Sequence, residues 1–134
     1  MFKSIISLFM LVTIFSCTDS SSSTTGIVQN IDAAQFSSLM ESSPEKSVID
    51  VRTDVEVANG IIPNATQIDL SRTDFRETIS KLDKSKPVFV YCAVGGRSSM
   101  ASEVLEKAGF EKIYNLSGGI NGWQAAGLPL GKLQ

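Results

Sequence analysis

A chain of 134 residues has room for one hydrophobic core, and 43% hydrophobic with 19% charged residues is the composition of a globular domain rather than a disordered one. With 12 Lys and Arg against 14 Asp and Glu, the net charge of −2 offers no electrostatic footprint for DNA or RNA, and no nucleic-acid partner is expected. No His and only two Cys leave too few ligands for a conventional zinc or iron-sulfur site and exclude a His-assisted nucleophile, so any catalysis has to rest on Cys, carboxylates, Arg or backbone amides.

The chain opens with Lys3 and an apolar run from Ile5 to Phe15, too short for the roughly 20 residues of a membrane-spanning helix but suited to an export signal. The run ends at Ile14-Phe15-Ser16-Cys17, which resembles a bacterial lipoprotein signal, although Phe15 is bulkier than is usual there. That resemblance implies a signal peptide over 1–16, cleavage before Cys17, acylation of Cys17 and a domain held at a membrane of the cell envelope, facing the periplasm or exterior. Ser- and Thr-rich residues 17–26 then read as a flexible tether, and 27–134 as the domain. Loss of residues 1–16 removes Lys3 and no acid, which takes the side-chain balance to 11 − 14 = −3.

From Ile27 onward short apolar runs alternate with amphipathic segments, the pattern of an α/β domain. Ile27 to Ile31 reads as a strand or lead-in. Asp32 caps a helix to about Glu41 with Ala33, Phe36, Leu39 and Met40 at helical spacing, and Pro44 stops it. A strand over 47–51, a helical turn over 54–59, a strand over 65–70 and a helix over 73–82 with Phe75, Ile79 and Leu82 inward follow. Val88-Phe89-Val90-Tyr91 is an unbroken apolar run of the kind buried on both faces of a parallel sheet. A helix from Ser98 to about Lys107 carries Met100, Ala101, Val104 and Leu105 toward the core and ends at Gly109; a strand over 112–116 and a helix over 120–126 complete the chain.

The chemistry is expected between the apolar run and the helix after it, in Cys92-Ala93-Val94-Gly95-Gly96-Arg97. Open α/β sheets place ligands at the carboxyl ends of their strands. Two glycines let the loop turn tightly and aim N–H groups inward, and a helix start adds unpaired amides. Arg97 contributes a fixed charge with a fork suited to an oxyanion. Together these predict a Cys92 thiol below its free pKa of about 8.5, hence a nucleophile without His.

Three blocks together resemble the rhodanese family: Asp50-Val51-Arg52 with Glu56 and Gly60-Ile61-Ile62-Pro63-Asn64-Ala65; the Cys92 to Arg97 loop; and Gly118-Gly119, Trp123 and Ala126-Gly127-Leu128-Pro129. The resemblance covers about residues 28–130 and implies a three-layer α/β fold with a central, mainly parallel five-stranded sheet flanked by helices. It also implies a sulfurtransferase in which Cys92 takes sulfane sulfur from a thiosulfate-like donor as a persulfide. The loop 93–97 holds it, and it passes to cyanide or a thiol, with no metal or organic cofactor. Four residues separate Cys92 from Arg97, as in the sulfur-transferring members; phosphatase and arsenate-reductase relatives have five. A non-catalytic binding or sensing module of the same fold is the alternative. Ile61 stands where the family commonly has His, Asn64 where it has Gly and Val57 where it has an aromatic residue.

Asp50, Arg52 and Glu56 are expected to be structural, Arg52 tying the strand end to Glu56 by a charge-assisted hydrogen bond and Asp50 lying at the pocket edge. Trp123 reads as a packing aromatic, Gly118-Gly119 as a turn into the last helix, and Glu103, Glu106 and Glu111 as a solvated face. With Cys17 acylated, Cys92 is the one thiol left, so no resolving partner exists within the chain.

Overall fold

The computed structural model describes residues 26–134; the signal, the acylation site Cys17 and all but the end of the tether lie outside the described residues. Five parallel strands, β1 (Val28–Ile31), β2 (Ser47–Asp50), β3 (Thr66–Gln67), β4 (Val88–Tyr91) and β5 (Ile113–Leu116), form one sheet in the order β1-β5-β4-β2-β3. Helices α1 (Ala33–Ser42), α2 (Asp54–Val57), α3 (Phe75–Ser80), α4 (Gly96–Lys107) and α5 (Gly119–Ala125) connect and cover it. This is the α/β architecture expected, with the ends of β1, β2, β4 and β5 within a residue of those read from the sequence.

The middle strand explains the layering. All four β4 residues are buried, and because side chains alternate along a strand, Phe89 and Tyr91 enter one core while Val88, Val90 and then Cys92 enter the other. The first core receives Phe36 and Met40 from α1 and Trp123 from α5; Phe36 meets Phe89 edge-on at 5.2 Å between ring centroids. The second receives Phe75 and Ile79 from α3 and Ala101 and Leu105 from α4. Burying each of these large apolar side chains stabilises the fold by about 1.5–3 kcal/mol, as an upper estimate.

Local chemistry sets the helix and strand limits. Asp32 accepts a hydrogen bond from the Gln35 amide at 2.8 Å while the Gln35 side chain reaches back to the Asp32 amide, a reciprocal cap that fixes the start of α1. The strand expected over 65–70 shrinks to Thr66–Gln67 because it lies at the sheet edge and Asp69 turns its carboxylate onto the Ser71 amide at 2.8 Å, closing a turn. The helix expected over 73–82 is limited to Phe75–Ser80, with Leu82 half-buried beyond its end. Met100 was expected in the core and is 55% exposed, because Ala101 and Leu105 define the buried stripe of α4. Asn64 takes the left-handed conformation, φ 66°, which Asn tolerates better than other residues with a Cβ.

Candidate active site

Cys92 follows the last residue of β4, on the edge of the second core, and its residue surface is 1% exposed. The chain then reverses through Ala93, Val94 and Gly95. Gly95 has φ 109°, a conformation open to glycine and costly to other residues, and it stands at the N-cap of α4. This turn directs its amide onto the sulfur: Gly95 N–H donates to Cys92 Sγ at 3.1 Å. The Ser98 hydroxyl, one turn into α4, lies 3.4 Å from the same sulfur and 3.1 Å from the Gly95 carbonyl, so its single proton is shared between two acceptors. A thiolate competes better than a carbonyl for that proton.

Burial pushes the Cys92 thiol up and is the largest single influence; the Ser98 hydroxyl and the amides of Ser98, Gly95 and Val94 together outweigh it, leaving the thiol below its ordinary value. Ser98 is a site residue that the sequence reading missed. The signal was available: it is the first-turn helical residue six positions after the cysteine, on the buried stripe shared with Ala101, Ser102 and Leu105.

The outward side of the loop is tied down by α5. Ile120 N–H donates to the Cys92 carbonyl at 2.9 Å and Asn121 N–H to the Ala93 carbonyl at 3.2 Å, so the unpaired amides of one helix start are spent on the loop's carbonyls while the loop's own amides face the sulfur. The approach requires glycine: a Cβ on Gly119 would stand 2.4 Å from the Ala93 oxygen, at φ 57°. Gly118-Gly119 is thus a turn into the last helix, and also the surface against which the loop is pressed. Trp123 packs in the first core and its indole N–H donates to the Pro129 carbonyl at 2.8 Å, holding the C-terminal segment beside the site.

Arg97 and Glu56 form a two-pronged pair, Nη1 to Oε2 at 2.8 Å and Nη2 to Oε1 at 2.6 Å, joining α4 to α2. The fork expected to stand ready for an oxyanion is therefore filled by a carboxylate. Glu56 also accepts from the Thr53 amide at 3.0 Å and hydroxyl at 2.8 Å. The Arg97 guanidinium first, and then the Thr53 donors, hold its carboxyl down at about 2 against the opposing effect of burial.

The Arg52–Glu56 bond expected from the sequence is corrected by the same geometry. Arg52 folds back onto Asp50, its Nη2 2.7 Å from Oδ2 and its Nε 3.0 Å from Oδ1, because residues two apart at a strand end point the same way. It touches α2 only through the Glu56 backbone carbonyl, at 3.4 Å, and spends another N–H on the Gly60 carbonyl at 2.8 Å. Asp50 is fully buried and does not line the pocket edge. Burial and then the neighbouring Asp50 carboxylate hold the Tyr91 phenol protonated well above its ordinary range, and its oxygen accepts the Ile62 amide at 2.9 Å. Ile61, in the position of the family's His, is buried and bridges to Gly131, so it has no polar role.

Beside the loop opens a cavity of about 250 Å³ whose lining includes Arg52, Glu56, Asn59, Ala93, Asn121 and Gln124 but not Cys92 itself. A thiol at the carboxyl end of the central strand, faced by the Gly95 amide and the Ser98 hydroxyl, marks the candidate site of this α/β domain. The family model for the rhodanese-like domain matches residues 32–126, and the chain belongs to that family. It is 34% identical over 104 residues to a sulfurtransferase of Allochromatium vinosum, covering 78% of this chain and 95% of the relative. It is 35% identical over 102 residues to a putative sulfurtransferase of Bacillus subtilis, covering 76% and 96%. The crystal structure of a rhodanese-like domain protein from Staphylococcus aureus superposes with a TM-score of 0.67 at 29% identity, covering 79% of this chain and 99% of that one.

Proposed function

We propose that the domain is a sulfurtransferase with Cys92 as its catalytic residue. The observation that carries this reading is the sulfur itself: Cys92 Sγ receives the Gly95 amide at 3.1 Å and faces the Ser98 hydroxyl at 3.4 Å, donors that favour the thiolate and would equally hold a terminal persulfide sulfur. In the first half-reaction the thiolate attacks the outer sulfur of a sulfane donor, the donor's S–S bond breaks, and the leaving group departs with the electron pair. In the second, an external nucleophile such as a thiol or cyanide takes the outer sulfur and the Cys92 thiolate is restored. No proton transfer by His is required.

Four residues separate Cys92 from Arg97, the spacing that resembles the sulfur-transferring members of the family rather than the phosphatase and arsenate-reductase relatives. The filled Arg97 fork supports the same choice, because phosphate or arsenate chemistry needs that guanidinium open. The test is the intact mass of the purified protein after exposure to sulfane donors. A gain of one sulfur on Cys92, discharged by cyanide or a thiol and absent in Cys92→Ser, is the expected result. Wild-type protein that never acquires the sulfur overturns the proposal.

We further propose that Cys17 is the acylated first residue of an exported, membrane-held form, on the strength of Lys3, the apolar run 5–15 and Ile14-Phe15-Ser16-Cys17. Palmitate labelling and membrane association in a bacterial host should both disappear in Cys17→Ala; labelling that persists in the variant sinks this reading.

A further inference from the structure

Asn115 stands where the sheet has little use for it. All four residues of β5 are buried, the other three are Ile113, Tyr114 and Leu116, and an amide side chain has a low preference for a strand interior. Asn115 is 2% exposed, pairs with Asn30 of β1 on one side and Val90 of β4 on the other, and points to the face of the sheet that carries Val90 and Cys92. Its Nδ2 donates to Asn30 Oδ1 at 2.8 Å and to Ser99 Oγ at 3.1 Å, while its Oδ1 has no hydrogen-bond partner among the described residues. Asn30 and Ser99 are both exposed, so water satisfies them as well as Asn115 does. An apolar side chain in its place would remove the orphaned oxygen and leave nothing buried unpaired. Stability does not account for the choice of Asn.

The bond to Ser99 does. Among the described residues it is the one hydrogen bond from α4 to a strand of the sheet. The rest of the helix's hold on the strands is that of Ala101 and Leu105, apolar contacts without direction. Ser99 follows Ser98, and its amide donates at 3.1 Å to the Gly95 carbonyl, the same oxygen that competes for the Ser98 proton. The Ser98 hydroxyl stands 3.4 Å from Cys92 Sγ, where a small slide or roll of the first turn of α4 weakens the bond. We propose that Asn115 is a positioning residue: by holding Ser99 it fixes the first turn of α4 against β5 and so keeps the Ser98 hydroxyl on the Cys92 sulfur. This rests on Cys92 as the reactive group in the reading above. The charges around the site take no part, Arg97 of α4 staying with Glu56 of α2 and Arg52 with Asp50 after β2.

The experiment is a double-mutant cycle on the purified protein with Asn115→Val, Ser99→Ala and the two combined. Alkylation of Cys92 by iodoacetamide is followed against pH, and urea unfolding is measured beside it. Asn115→Val should unfold at a urea midpoint no lower than wild type, yet its alkylation at pH 7 should slow about two- to fivefold and the pH midpoint should rise. Ser99→Ala, a change at an exposed position, should slow alkylation by the same factor, and the combined variant should be no slower than either. Unchanged or faster alkylation in both single variants overturns the proposal, as does a combined variant slowed by the product of the two factors. A lowered urea midpoint in Asn115→Val with unchanged alkylation also overturns it, since Asn115 would then serve the fold alone. Loading of sulfur from a sulfane donor is read separately: wild-type protein that alkylates as expected but never gains sulfur overturns sulfur transfer, and the alkylation cycle still decides the role of Asn115.

Discussion

The carboxyl ends of β2 and β4 are neighbours in one parallel sheet, and each carries an arginine soon after it, but the two regions use their polar groups differently. After β2, Asp50 and Arg52 satisfy each other and the carbonyls of Glu56 and Gly60, all within eleven residues of chain. After β4, Gly95 turns the backbone so that amides converge on one sulfur, while Arg97 reaches a carboxylate 41 residues away. The two strand ends differ in how their donors and acceptors balance. The β2 end is balanced and closed; the β4 end is left with an excess of donors facing Cys92.

The comparison can be broken first at the closed end. Asp50→Asn removes the charge that Arg52 is buried against and should cost about 3–5 kcal/mol in urea unfolding. A loss below about 1 kcal/mol would mean that the pair is not what organises this end. At the β4 end, Gly119→Ala puts a Cβ onto the Ala93 carbonyl in a left-handed conformation and should cost about 2–4 kcal/mol, with persulfide formation at Cys92, if it is the sulfur carrier proposed, falling more than its stability predicts. Unchanged loading kinetics would detach α5 from the loop's geometry.

Ser98→Ala tests the donor excess itself. The pH midpoint for alkylation of Cys92 by iodoacetamide should rise, and the rate at pH 7 should fall roughly three- to tenfold, consistent with about 1 kcal/mol for one hydrogen bond. Smallest is Glu56→Gln. The Glu56 carboxyl is depressed to about 2, so its contribution is complete above its ordinary 4.5 and is lost as the pH falls toward 2. Because the Arg97–Glu56 pair is partly solvated, the difference between wild type and variant should stay below about 1 kcal/mol and vanish across that window in urea midpoints.

The sequence made the β4 end far more legible than the β2 end. An unbroken apolar run, paired glycines and an arginine at fixed spacing are local signals, and they marked Cys92 and the loop whose donors face its sulfur. The partner of Arg52 was misread because both Asp50 and Glu56 lie within reach along the chain, and spacing alone does not say which carboxylate is buried with it. The Arg97–Glu56 pair joins residues far apart in sequence and depends on β2 lying beside β4, an adjacency no linear pattern carries. Met100 misled for a different reason: an apolar residue beside the buried stripe of α4 cannot be told from one within it until the helix is docked. Gly118-Gly119 was read correctly as a turn, but its contact with Ala93 is a tertiary approach that only the folded chain displays.

β4 is paired on both sides, with β5 and β2, and lies at the centre of the strand order. Local openings of a protein start at edges and loop ends, and the elements with most partners open last. In amide hydrogen exchange Thr66–Gln67, on the edge strand β3, should lose protection early, while Val88–Tyr91 should exchange only with global unfolding. The anchor of Cys92 would then persist through the fluctuations that fray the sheet, and partial melting at the edges would not expose the thiol to stray oxidants.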